Sequence, residues 1–172
     1  MMPITRRAFM ATVAVASLSF VPLAQAVDAL PDSRFVGFAE TVNDFEMKSG
    51  QLALSKTSNE LVRGYATRVV AEYPKAEQSL TRNRNEAGVS MAPDEDVRKI
   101  TDDSMARLNS LQGAEFDKAY ADAQVRLQTA AVAQFGAYSE NGKNGALKRY
   151  AQEVLPKSKE FLEYAKRIAG GM

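Results

Sequence analysis

The sequence predicts an all-α fold: four long helices and one short one, behind a cleavable export signal. Three observations lead there. Apolar residues recur in alternating steps of four and three along four long segments, the period of one helix face packed in a bundle. No segment shows the period-two alternation of a half-buried strand. The first 26 residues differ in kind from the rest, with two arginines, an apolar run and a small-residue cleavage motif.

Residues 1–26 have the three parts of a signal peptide. Arg6 and Arg7 form the positive start, Ala8 to Leu23 is mildly apolar, and Ala24-Gln25-Ala26 is an A-x-A site. The run Thr5-Arg6-Arg7-Ala8-Phe9-Met10 resembles a twin-arginine export signal. An ordinary secretory signal with two adjacent arginines is the alternative. No Cys is available for a lipid anchor. Residues 27–172 then form a single domain, long enough for one core. Nothing in it approaches ~18 uninterrupted apolar residues, so no membrane span is expected.

The first helix is predicted over about Ser33 to Lys56, with the seam Phe35, Ala39, Val42, Glu46, Ser49 and Ala53. Thr57-Ser58-Asn59-Glu60 reads as a capping box for the second helix. That helix runs to Ala87, stops at Gly88, and has the seam Val62, Ala66, Val69, Tyr73, Ala76 and Leu80. Pro74 lies inside it and predicts a kink. Asp94, Glu95 and Asp96 suit the first turn of a shorter, polar helix that ends near Leu111. The fourth helix, about Gly113 to Asn141, carries two stripes. One is Phe116, Tyr120, Ala123, Leu127 and Ala130, and the other is Gln124, Gln128, Ala131, Phe135 and Tyr138. The last helix has the seam Leu147, Ala151, Val154, Ser158, Phe161, Ala165 and Ile168, with a bend expected at Pro156. A helix of ~17 residues spans roughly 25 Å, about one bundle length, so the short helix can return the chain to the opposite end. The result is a four-helix bundle with one long crossover, the ferritin-like connectivity. A plain up-down five-helix bundle is the alternative.

Composition closes several chemistries. The chain has no Cys and no His, which removes thiolate chemistry, the commonest metal ligand and the commonest general base near pH 7. Removing Arg6 and Arg7 from 22 basic residues leaves 20 against 21 acids, so residues 27–172 have no basic excess for a nucleic acid. No G-x-S-x-G, S-x-x-K or His-bearing triad is present, and no catalytic residue is identified. Gly136 to Lys143 has the wrong glycine spacing for a phosphate loop and lies at a helix end, so it reads as a helix stop. Glu40/Asp44 and Asp102/Asp103 read as solvated surface pairs, and Tyr65, Tyr120, Tyr150 and Tyr164 as packing residues with a polar tip.

Phe116-Asp117-Lys118-Ala119-Tyr120-Ala121-Asp122-Ala123-Gln124-Val125, Leu147-Lys148-Arg149-Tyr150-Ala151 and Val154-Leu155-Pro156 carry a family resemblance. Glu46 and Tyr65-Ala66-Thr67-Arg68-Val69-Val70 extend it. Over roughly Phe35 to Ala169 the chain resembles a bacterial family of exported, ferritin-like proteins catalogued as domain of unknown function 4142. The resemblance implies fold and export and supplies no activity. The family usually has Asp-His where Glu72-Tyr73 stand here, and histidines where Gln128 and Phe161 stand.

Glu46, Tyr73, Gln128 and Phe161 fall at mid-length on four inward seams, the geometry in which bundles build metal sites. Here Glu46 and Glu72 are the remaining carboxylates, short of the three or more good ligands a transition metal needs. The expectation is a degenerate site with no metal and no cofactor, in which Glu46 is hydrogen-bonded to Tyr73 or Gln128. The rival is a His-free site that holds iron or manganese in a metal-binding or redox protein. The expected function is that of an exported, periplasmic or secreted, non-catalytic bundle that binds a protein partner or itself, with a role in the envelope or under stress.

N-terminal sequencing of the extracytoplasmic protein should read Val27 first, and an intact Met1 in that fraction contradicts cleavage. Replacing Arg6 and Arg7 by lysine should block export if the route is twin-arginine.

Overall fold

The computed structural model describes residues 27–171; residues 1–26, which carry the export signal expected above, lie outside the described residues. Five helices follow in order: α1 (Asp32–Lys56), α2 (Glu60–Ala87), α3 (Glu95–Ser110), α4 (Gly113–Asn141) and α5 (Gly145–Gly170). No strand occurs among the described residues. The predicted boundaries hold to within a residue or two, because the turn chemistry is local.

One cap differs from expectation. Thr57 is the C-cap of α1, and the cap of α2 is Asn59, whose side chain accepts from the N–H groups of Leu61 and Val62. Thr57 Oγ1 accepts from the Asn59 N–H instead, so the Thr57-to-Glu60 capping box does not form. Asn fills the role because its short carbonyl reaches the same orphan donors of the first turn. Asn144 caps α5 in the same way, and Asp94 caps α3 through Val97. Gly88 ends α2 with φ 64°, a left-handed conformation open to glycine without Cβ strain.

α1 packs on α2, α3 and α4, and α5 packs on α2 and α4. The chain therefore closes a ring in the order α1, α2, α5, α4, with α3 laid on the α1–α4 side. End contacts fix the directions. The Phe35 ring near the start of α1 stacks 3.7 Å from Tyr138 near the end of α4, and Tyr138 Oη donates to Asp32 Oδ1 at 2.5 Å. Arg68 near the start of α2 pairs with Glu160 far along α5, and Glu86 pairs with Arg149 at the opposite ends. Each neighbouring pair in the ring is thus antiparallel, and α2 and α4 run the same way on opposite corners.

Two helices that run the same way need a connection as long as the bundle. α3 supplies it. Arg34 Nη2 donates to Asp94 Oδ2 at 2.7 Å, fixing the start of α3 beside the start of α1. At the far end Lys56 Nζ donates to the carbonyl oxygens of Leu108, Asn109 and Leu111 at 2.9, 2.9 and 3.0 Å. These are end carbonyls of α3 that have no partner within the helix. The Lys56 ammonium also lies 5.3 Å from the centre of the Phe116 ring. Gly37 lets the loop before α3 approach α1: a Cβ there would sit 2.0 Å from the Ala92 carbonyl oxygen.

The predicted seams face inward. Phe35, Val42, Val69, Leu80, Phe116, Leu127, Phe135, Val154 and Ile168 are buried in one cluster. Ala76 and Ala130, at the seam edges, are half-buried. Pro74 and Pro156 both lie on exposed faces inside continuous helices, where the missing N–H is not a buried loss.

Leu127 is fully buried, with no exposed surface. Leu127→Ala should cost on the order of 2–5 kcal/mol through lost transfer energy and the cavity left behind. Thermal or denaturant unfolding measures it, and an unchanged midpoint would show the seam misassigned.

Candidate functional site: a buried carboxylate among four helices

The mid-length positions of four seams meet in the interior. α1 supplies Glu46, α2 Tyr73, α4 Gln128 and α5 Phe161, because each lies on the buried stripe of its helix. Gln128 is the hub. Its Nε2 donates to Glu46 Oε1 at 3.0 Å and to Tyr73 Oη at 2.6 Å. Phe161 closes the fourth side, its ring 5.6 Å from that of Tyr73 and 5.5 Å from that of Tyr65. Of the two partners expected for Glu46, Gln128 makes the bond; Tyr73 is tied to the carboxyl through Gln128.

Glu72 corrects the expectation that it is a second carboxylate of this centre. One residue on from the inward stripe turns a side chain about 100° around a helix. Glu72 is accordingly partly exposed and pairs with Lys75 at 2.9 Å, and that bond holds its carboxyl below the usual range. The surface pairs also fall outside the centre. Asp44 pairs with Lys48 at 2.8 Å, and Asp103 with Lys99 at 2.9 Å. Glu40 is half-buried and lies 3.6 Å from Arg84.

The cluster extends one turn beyond the predicted set. Gln124 Nε2 donates to Ser49 Oγ at 3.1 Å, and Tyr65 Oη donates to Gln124 Oε1 at 3.0 Å. Ser49 Oγ donates to the Glu46 carbonyl at 3.5 Å. Tyr120 is wholly buried, and its hydroxyl has no partner among the described residues. Helical spacing held the signal: Ser49 follows Glu46 by three residues, and Gln124 precedes Gln128 by four. Tyr65 and Tyr120 pack with their rings buried, as expected of residues with a polar tip, and that tip faces this polar interior.

Electrostatics sets the protonation state. Glu46 has no exposed surface, and removal from water disfavours its charge. Its pKa is pushed from 4.5 to about 8, desolvation outweighing hydrogen bonds from Gln124 and Gln128 that act the other way. Burial, with the field of Glu46 next in weight, raises the Tyr65, Tyr73 and Tyr120 phenols well above 10. At neutral pH the centre is therefore a set of neutral groups. Glu46 Oε2, Gln128 Oε1 and the Tyr120 hydroxyl have no protein partner among the described residues. Such a centre can hold and release one proton. It offers no strong base and no nucleophile.

The donor set also tests the metal reading. The position facing Glu46 from α2 is a protonated phenol, that from α4 a neutral amide, and that from α5 a phenyl ring that cannot ligate. No group of three or more carboxylates converges among the described residues. These residues do not fit a transition-metal ion.

The raised pKa has a consequence for stability. Between about pH 4.5 and 8 the folded chain holds a proton on Glu46 that the unfolded chain has released, so this contribution is fullest below pH 4.5 and is lost as pH rises through 8. Glu46→Gln keeps the shape and the bond from Gln128 and removes the titration. Its stability relative to the parent should rise by on the order of a few kcal/mol between about pH 5 and 8.5, measured by denaturant unfolding. A pH-independent difference would place the Glu46 pKa elsewhere.

No curated protein and no solved structure matches the chain. A family model described as "Domain of unknown function (DUF4142)" matches residues 20–168, which take in α1 to α4 and α5 as far as Ile168. The chain belongs to that family, the domain of unknown function DUF4142.

Proposed function

We propose that this member of the family is an exported, ferritin-like four-helix-bundle protein that acts by binding rather than by catalysis, in the periplasm or outside the cell. The observation that carries the reading is the composition of the centre: one buried carboxylate, one amide, one phenol and one phenyl ring, tied through Gln128. That set suits a neutral hydrogen-bonded core and suits neither redox nor hydrolytic chemistry.

The fold supports the ferritin-like part. The closed ring α1, α2, α5, α4, with α2 and α4 on opposite corners and α3 carrying the chain back along the bundle, is the connectivity of that class. Arg6, Arg7 and Phe9, with Ala24 and Ala26 before Val27, support export. No helix among the described residues is long and apolar enough to cross a membrane. The envelope or a stress response is the setting proposed for it.

Protein purified from its native compartment should carry no stoichiometric iron, manganese or zinc by elemental analysis. One metal per chain, lost in Glu46→Gln, overturns the reading in favour of a metalloprotein.

A further inference from the structure

A second feature lies beside the polar centre. Between α2 and α5 a cleft of about 240 Å³ opens to the surface. For comparison, a dry cavity of roughly 150 Å³ takes up one benzene molecule. This cleft therefore has room for one ring and a short side arm. It opens where the facing side chains shrink, with Ala76 on α2 and Ser158 on α5.

Its walls are aromatic. Tyr73 and Phe161 stand at one end, their centroids 5.6 Å apart, and Phe135 and Tyr150 at the other, 6.0 Å apart and nearly perpendicular. Ser158, only 4% exposed, lines the cleft and brings a hydroxyl to its wall. The hydroxyl of Tyr150 accepts a long 3.4 Å bond from Asn43 Nδ2.

The charges are unevenly matched. Towards the Phe161 end, Lys75 pairs with Glu72 at 2.9 Å, Lys157 pairs with Glu160 at 3.0 Å, and Arg68 also pairs with Glu160. Towards the Tyr150 end, Glu153 accepts from Ser79 Oγ at 2.6 Å and Glu77 accepts from Asn43 Nδ2 at 2.9 Å. Neither carboxylate has a cation within ion-pair distance among the described residues. Lys75, Lys157, Glu72 and Glu153 all line the cleft, and Glu77, outside the lining, is bonded to its Asn43. With the two lysines paired to Glu72 and Glu160, the charge left over lies at the Tyr150 end and is negative, and together with the ring faces it attracts an organic cation.

We infer that the α2–α5 cleft binds a small organic ammonium ion with an apolar ring or chain. Its ammonium group lies near Tyr150, Glu77 and Glu153, and its apolar body lies against Tyr73 and Phe161. The site lies beside the Glu46 centre and shares with it the rings of Tyr73 and Phe161, the Tyr73 hydroxyl accepting from Gln128. The proposal stands whether or not the export reading holds.

Two probes of one size and opposite charge test it: phenethylammonium and 3-phenylpropionate, each titrated into ¹⁵N-labelled protein and followed by amide shifts. The ammonium should bind in the millimolar range, with shifts centred on Tyr73, Ala76, Tyr150 and Ser158, and roughly fivefold or more tightly than the carboxylate. Glu153→Gln, an exposed change that leaves the core alone, should weaken the ammonium about three- to fivefold and leave the carboxylate unweakened. Ala76→Leu should abolish binding of both by filling the cleft. If that variant unfolds, Glu77→Gln serves beside Glu153→Gln, with the same direction expected. Equal or tighter binding of 3-phenylpropionate, shifts elsewhere on the surface, or no shifts at all overturn the proposal.

Discussion

The burial of Glu46 is the constraint on which the rest of this structure depends. A carboxyl group taken wholly out of water must be neutralised or paired. The described interior offers it no cation. The response is protonation, with the Gln128 amide as neighbour, and the choice propagates outward. Gln128 holds Tyr73, and the next turn repeats the device with Ser49, Gln124 and Tyr65. Three helices are thus tied in register by amide and hydroxyl groups within an otherwise apolar interior. Such bonds add little net stability each, and breaking one leaves a costly orphan. Their effect is to specify one arrangement of the helices.

Packing of the ends makes that arrangement possible. The Phe35–Tyr138 stack and the Tyr138–Asp32 bond fix α1 against α4 at one end. Lys56 fixes α1, α3 and the ring of Phe116 at the other. With both ends set, α2 and α4 run the same way, and α3 is the length of chain that this requires. Between α2 and α5 small residues leave the packing incomplete. There the surface reaches inward to Tyr73, and the cleft proposed above as a ligand site opens beside the neutral centre.

Much of the fold was legible because helix seams are periodic. Steps of four and three at Val62, Ala66, Val69, Tyr73, Ala76 and Leu80 admit one inward face, and the structure buries all of it but Ala76, which is half-buried at the edge. Glu46 and Ser49 were legible as inward for the same reason, although both are polar. The cap of α2 was misread, since Thr57 and Asn59 are both good capping residues and the choice depends on where α1 ends. Glu72 was misplaced by adjacency to Tyr73, though one residue is a quarter turn. The cleft was illegible: Glu77, Glu153 and Asn43 come together only through the antiparallel pairing of α2 with α5 and the pairing of α1 with α2. No spacing along one helix reports that.

The account turns on the protonation state of one side chain, and the carboxyl carbon of Glu46 reports it directly. Carbon-13 NMR of protein labelled at glutamate side-chain carboxyls, with Glu46→Gln to assign the resonance, should show Glu46 protonated at pH 6 and titrating near pH 8. A Glu46 resonance already ionised at pH 6 would mean that a cation, from metal or protein, shares this interior, and would contradict the neutral centre described above.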